Sequence, residues 1–301
     1  MKNIGFIGLG NMGISMAENL IKSGFNLTGF DLSSKQLETL QSLGGTPAAT
    51  CKEVGESSEA VFIMVLSGTQ VKQALQGDTG LLAGLKPGST IIVSATIHPY
   101  EIREIEQLVL GKDIHVVDTP VSGGKPGAEA GALTMMTAAP QDVFDNVKPV
   151  LEAVGQNIFH VGEEIGLGQT VKASLQALIG STFTAIFESL VLGVKAGAKA
   201  EVLYDVFSSS GVGSPLFNNA ASLIMDRKFK DTGSHIGTMY KDLGITMNMA
   251  KENGVSMFTT SAAFELFQAG ISLFPEEDNW SIVKLLEQIA GTTVQKSNPE
   301  A

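Results

Sequence analysis

The sequence predicts an α/β fold, a doubly wound parallel sheet followed by an all-helical segment, and three observations predict it. Short β-branched apolar runs alternate with helical patterns through the first half, which is how parallel strands covered by helices on both faces read in sequence. After Gly162 the strand runs stop and only helical periodicity continues. The chain has 301 residues, 44% of them hydrophobic and 17% charged. That is long enough for two cores and too apolar for a disordered chain.

The elements follow in order. IGFIGL (4–9) reads as the first strand and Gly13 to Ser23 as an amphipathic helix; LTGFD (27–31) is the second strand, followed by a helix near Ser34 to Leu43. AVFIMVL (60–66), a helix near Gln70 to Leu75, TIIVSAT (90–96), a helix near Pro99 to Val109, and IHVVDTPV (114–121) continue the alternation. ALTMMTA (132–138) and NIFHVG (157–162), separated by a helix from Gln141 to Ala153, extend the same sheet. The second half reads as helices over Gly168–Ala196, Glu201–Ser208, Pro215–Ile224, Ile236–Glu252, Thr259–Ala269 and Ser281–Ala290, and QKSNPEA is expected to fray. The composition shift at Gly162 to Gly168 divides the chain into domains of 1–163 and 164–301. The long helix from about Gly168 is expected to pack against both, with a ligand site at the junction.

Charge and cysteine usage exclude several classes. Twenty Lys+Arg against 31 Asp+Glu give a formal charge of -11, which repels phosphate backbones and anionic membrane surfaces, so no nucleic-acid partner is expected. Cys51, the single cysteine, forms no intrachain disulfide and no zinc knuckle, and the N-terminus lacks a signal-peptide pattern; a cytoplasmic location is expected. Ala173 to Val194 is long and apolar enough for a membrane span, but Gln176, Glu188 and several Ser and Thr interrupt it, so no membrane partner is expected. His98, His115, His160 and His235 have no ligand spacing, and no metal is expected.

Three motifs carry chemistry. Gly8-Leu9-Gly10-Asn11-Met12-Gly13 follows the first strand and opens the first helix. In that context Gly8 permits a tight turn, Gly10 lets backbone approach a pyrophosphate, and Gly13 seats the helix against the strand, so a dinucleotide is expected there and the sheet is Rossmann-type. Asp31, 23 residues beyond Gly8, ends the second strand, where a carboxylate accepts hydrogen bonds from a ribose diol and repels a 2'-phosphate. NAD is therefore expected rather than NADP. The alternative role for Asp31 is capping the next helix, although Ser33 and Ser34 could do so.

The second motif is Asp118-Thr119-Pro120-Val121-Ser122-Gly123-Gly124, at the C-terminal end of a predicted strand, where Ser122 and two glycine N–H groups could cradle a carboxylate. An ordinary glycine turn is the alternative. In the third, Lys172 and Glu188 are the only charged side chains from Gly166 to Val194. A Lys desolvated near a domain junction has its pKa lowered and becomes a usable acid or base. Gln176, one turn further on the same face, could orient it or a substrate hydroxyl. A Lys snorkelling from the helix start is the alternative.

Together GFIGLGNMGISM (5–16), DTPVSGG (118–124), GLGQTVKASLQ (166–176) and Lys241-Asp242-Leu243 resemble the β-hydroxyacid dehydrogenase family, over nearly the whole chain. The resemblance implies a dehydrogenase for a small hydroxy acid, in which Lys172 is the acid/base and Ser122, Gly123 and Gly124 hold the substrate carboxylate. It places Thr96 near the nicotinamide and Lys241 at the cofactor and substrate junction, supported by Asp242. It also implies a homodimer or homotetramer through the helical half. Leu175 and Gln176 replace the family's paired asparagines, and Gln176 with GLG before the Lys resembles the L-threonate dehydrogenase branch, whose usual His is here Leu175. Three rivals share this architecture: a 6-phosphogluconate-type decarboxylating enzyme, which needs cations offered here only by scattered Arg227, Lys228 and Lys230; an imine or keto reductase, whose similar members lack the Lys; and a non-catalytic dinucleotide sensor.

Overall fold

In the first half, alternate residues of every central strand enter opposite hydrophobic cores. The computed structural model of the chain describes residues 1–297, in two compact units, Met1–Lys172 and Ala173–Ala301. Unit one contains β1 (Asn3–Ile7), α1 (Gly13–Lys22), β2 (Asn26–Phe30), α2 (Ser34–Ser42), β3 (Thr46–Pro47), α3 (Cys51–Ser57) and β4 (Ala60–Ile63). It continues with α4 (Gly68–Leu75), β5 (Thr90–Val93), α5 (Pro99–Val109), β6 (His115–Asp118), β7 (Val121–Ser122), α6 (Gly124–Glu129), β8 (Leu133–Ala138), α7 (Gln141–Leu151) and β9 (Gly155–Gly162). Ile4, Phe6, Phe62, Ile92 and Val117 pack into one core, and Ile7, Val61, Ile63, Ile91 and Val93 into the other. Period-two burial on both faces is what a doubly wound sheet requires.

The strand order is β3-β2-β1-β4-β5-β6-β8-β7, with β9 on β8. From β3 through β6 all pairs are parallel, and the order reverses between β1 and β4, the place where such sheets open a crevice at their C-terminal ends. The strands expected at 132–138 and 157–162 do join this sheet, but β8 runs antiparallel to β6 and β7. The chain between Asp118 and Leu133 holds only the short β7 and α6, too little for the crossover helix a parallel return demands. Four short elements escaped the sequence reading: β3, α3, β7 and α6. Of these α3 had a signal, since Thr50 accepts from Glu53 N while Glu53 accepts from Ala49 N, the Thr-x-x-Glu capping pattern.

α8 (Leu167–Lys195) begins in the first unit and continues through the second. By length and composition alone it could cross a membrane. Within unit two, however, its Phe183, Phe187, Leu190 and Val191 are core residues. They pack with α9 (Ala200–Ser209), α10 (Pro215–Met225), α11 (Ile236–Glu252), α12 (Phe258–Leu273) and α13 (Ile282–Ala290).

Part of the segment expected to fray is anchored. Lys296 N donates to Met225 O, Lys296 pairs with Asp226, and Ser297 N donates to Glu201, because Val294, fully buried, pins the chain just before it. The remainder, 298–301, lies outside the described residues. Nearby, Arg227 forms a bidentate pair with the buried Glu287 (2.6 and 3.0 Å), which also accepts from Val294 N. Arg227→Ala strands that carboxylate without its cation. The expected loss is about 3 kcal/mol, at the low end for a buried pair because Arg227 is partly exposed, measured as a lowered denaturant midpoint.

Candidate active site

The glycine turn after β1 divides into positions the backbone requires and one it leaves open. Gly8 has φ +91°, and a Cβ there would lie 2.3 Å from Met64 O; at Gly13 a Cβ would lie 1.9 Å from Gly8 O. Both glycines are demanded by close backbone approach. At Gly10 a Cβ would meet nothing within 4 Å. Met12, at the N-cap of α1, contributes no side-chain cap, and Asn11 beside it is exposed. Open space beside a helix start whose first N–H groups lack a side-chain acceptor is a cradle that fits a dinucleotide phosphate.

Asp31 is built into this turn. Its Oδ2 accepts from Leu9 N (2.7 Å) and its Oδ1 from Ser33 N (2.8 Å). Ser33 holds the N-cap position of α2, so the carboxylate fastens the glycine turn to the end of β2 instead of capping the helix. Each oxygen keeps a second lone pair for a ligand donor.

The other unit-one candidates stand at the same edge, beyond the C-terminal ends of the parallel strands. Thr96 follows β5 and is half-buried. Ser122 ends β7; Gly123 (φ +133°) and Gly124 (φ +60°) follow it, and Gly124 opens α6. Lys172 lies on α8 with only 6% of its surface exposed.

Two residues that the sequence reading did not assign to the site organise this edge. Asp118, fully buried at the end of β6, accepts from Gly166 N (3.0 Å), Gln169 N (3.2 Å) and Gln169 Nε2 (2.9 Å). Gln169 also donates from Nε2 to Ala95 O (3.1 Å) and accepts at Oε1 from Ile97 N (3.0 Å). The only available signals were an acid at a strand end and an amide three residues before Lys172. Burial pushes the Asp118 carboxyl up to about 6, opposed by the hydrogen bonds from Gln169, Gly166 and Gly168. The folded-state value lies above the unfolded one, so this group's stability contribution is full below about 4 and is lost as pH rises through about 6. Between pH 4 and 7, wild type should lose stability relative to Asp118→Asn, as paired thermal melts would register.

Unit two gathers the remaining candidates into one bonded group. Gln176 Nε2 donates to Asp242 Oδ2 (2.5 Å), and Lys241 Nζ lies 3.0 Å from Asp242 Oδ1. Gln176 and Asp242 are buried, whereas the Lys241 side chain is a third exposed. A carboxylate only accepts, so this contact turns the nitrogen of the Gln176 amide toward Asp242 and its oxygen away. α8 and α11 approach closely here: a Cβ on Gly180 would lie 2.8 Å from Leu243, and Thr246 Oγ1 donates to Ala173 O. Among the described residues no group of three or more His, Cys, Asp or Glu is placed to hold a metal ion.

Comparison with known proteins adds to this geometry. Residues 3–162 match the family described as the NAD binding domain of 6-phosphogluconate dehydrogenase. Residues 166–286 match the family described as NAD-binding of NADP-dependent 3-hydroxyisobutyrate dehydrogenase. The chain is 34% identical to 2-(hydroxymethyl)glutarate dehydrogenase of Eubacterium barkeri, covering 97% of each chain. It is 32% identical to L-threonate dehydrogenase of Escherichia coli, covering 95% of each. Among solved structures, Mycobacterium tuberculosis 3-hydroxyisobutyrate dehydrogenase with L-serine superimposes with TM-score 0.87 at 27% identity, covering 95% of this chain and 99% of that one. A variant of the Myxococcus stipitatus imine reductase, 17% identical with TM-score 0.66 over 95% of this chain and 100% of that one, shares the fold alone.

Proposed function

The chain belongs to the β-hydroxyacid dehydrogenase family, and within it we propose that Lys172 is the acid/base in the oxidation of a small 3-hydroxy acid. It is an NAD(P)-dependent oxidoreductase acting on CH–OH. The observation that carries the assignment of Lys172 is its burial one turn past residues bonded to the end of β6, at the sheet edge where the glycine turn also opens. We further assign 1–163 to dinucleotide binding and 164–301 to substrate and subunit contacts.

Gly8, Gly10, Asn11, Met12, Gly13, Asp31 and Thr96 would hold NAD; the family resemblance also assigns Lys241 and Asp242 to the cofactor. Bound nicotinamide supplies the hydride acceptor. The chain's own residues do the rest: Ser122 and the N–H groups of Gly123 and Gly124 bind the substrate carboxylate, and Lys172 Nζ removes the hydroxyl proton. In reverse Lys172 returns it. Gln176, its amide turned by Asp242, offers a carbonyl oxygen to a donor on the substrate. Names of relatives such as 2-(hydroxymethyl)glutarate, 3-hydroxyisobutyrate and L-serine dehydrogenase share a hydroxymethyl group beside a carboxylate. That supports a 3-hydroxy acid. NAD reduction with L-serine, 3-hydroxyisobutyrate, 2-(hydroxymethyl)glutarate and L-threonate tests the reading; no turnover with any of them, while NADH binds, overturns it.

The placing of Asp31 supports NAD over NADP. Asp31→Asn keeps an oxygen for Leu9 N and removes the charge, so the ratio of kcat/KM for NADP to that for NAD should rise about tenfold, ~1.4 kcal/mol. An unchanged ratio would remove Asp31 as the ribose reader. The single cysteine and the acidic charge support a cytoplasmic location, and Cys51 is buried, with its thiol pushed up to about 11 by desolvation. The exposed apolar residues Leu178 and Leu192 on α8 support a homodimer or homotetramer; light scattering decides between the two.

A further inference from the structure

The start of α8 is fixed from outside the helix. Asp118 Oδ2 receives the N–H groups of Gly166 and Gln169, so a carboxylate at the end of β6 satisfies donors that a helix start leaves unpaired. The seat is tight: a Cβ on Gly168 would lie 2.6 Å from Met136 O and 2.7 Å from Asp118 O. The helix backbone is thus pressed against β8 and β6.

Gln169 then commits its amide to three partners. One Nε2 hydrogen goes to Asp118 Oδ1 and the other to Ala95 O, while Oε1 takes the N–H of Ile97. Ala95 and Ile97 are the residues on either side of Thr96. Asp118 and Gln169 are 0% and 1% exposed. No water replaces a broken bond there, and each loss leaves an unmatched buried group.

We propose that Asp118 and Gln169 are positioning residues: the Gln169 amide, oriented by Asp118, sets the place of the Thr96 turn relative to the helix start that carries Lys172. Lys172 follows Gln169 by three residues, about 4.5 Å along the helix axis, so a shift of the first turn carries its amine with it. Displacements near 1 Å can cost about 100-fold in rate. The brace itself stands apart from the dehydrogenase reading; only its effect on turnover rests on that reading.

Gln169→Met keeps the side-chain length and removes all three amide bonds. Hydrogen exchange at the Ile97 amide should quicken at least about 100-fold, the factor that loss of ~2.7 kcal/mol of local protection gives. Turnover of the best of L-serine, 3-hydroxyisobutyrate and L-threonate should fall about 10- to 100-fold, with the KM for NAD within about threefold of wild type. Asp118→Asn is the milder variant, and it decides the matter if Gln169→Met does not fold. It keeps an oxygen for the two backbone donors and sets an NH₂ against Gln169 Nε2, so the same changes should appear at smaller size. Unchanged Ile97 exchange in the variant that folds overturns the brace. Unchanged kcat with a lowered melting temperature overturns positioning and leaves a structural role. If wild type oxidises neither these three acids nor 2-(hydroxymethyl)glutarate, the functional reading fails, while faster Ile97 exchange in the variants still upholds the brace.

Discussion

Lys172→Ala is expected to lower turnover by about 10²- to 10⁴-fold, the range that a positioned acid or base contributes, and to leave NADH binding within about threefold of wild type. The asymmetry comes from the division of labour in unit one. The glycine turn and Asp31 hold together through their own backbone contacts, and none of these involves Lys172. Because the side chain is 6% exposed, truncation also leaves a cavity. Lys172→Met fills most of that space and separates lost chemistry from lost packing: it should be as inactive as the alanine variant but closer to wild type in melting temperature. Turnover within tenfold of wild type in Lys172→Met would remove this residue from the acid/base role.

A second large effect separates two glycines three residues apart. Gly10→Ala adds a methyl group that meets nothing within 4 Å, so the melting temperature should stay within about 2 °C of wild type. The same methyl enters the space assigned to the pyrophosphate, and NAD affinity should fall at least about tenfold, ~1.4 kcal/mol. Gly13→Ala should do the reverse. Its Cβ would lie 1.9 Å from Gly8 O, a backbone atom that cannot rotate aside, and the forced shift should cost about 3 kcal/mol or more. Calorimetry of NADH binding beside thermal melts reads both variants. A Gly10→Ala protein that binds NADH as wild type does would show that the cofactor does not approach this turn.

The elements read well from sequence where one periodicity ran long enough. The strands β1, β4, β5 and β6 and the helices α1, α5, α8 and α11 fall where their patterns placed them, because burial on two faces or one stripe dictates residue type along the whole element. Short elements carried less information: β7 and β3 have two residues each, too few for any period to show. The direction of β8 was also hidden, since hydrophobic alternation is the same whichever way a strand runs. The first residues of the tail were misjudged for a related reason. Lys296 and Ser297 are held by Asp226, Met225 and Glu201, residues whose proximity no local pattern encodes.

The candidate site divides in the same way. By itself the sequence determined the parts with local logic: a glycine turn between strand and helix, an acid ending the second strand, and a lone Lys at the head of an apolar helix. Spacing and residue type are enough for these because strand, turn and helix are contiguous in the chain. Only the tertiary structure decided how they are held. It turned Asp31 toward Leu9 N, set the Gln176 amide by Asp242, and joined Asp118 to Gln169 and Gln169 to the residues flanking Thr96. These bonds link residues 22 to 74 positions apart, and which buried donor meets which acceptor is settled when strand order and packing bring them within hydrogen-bonding distance.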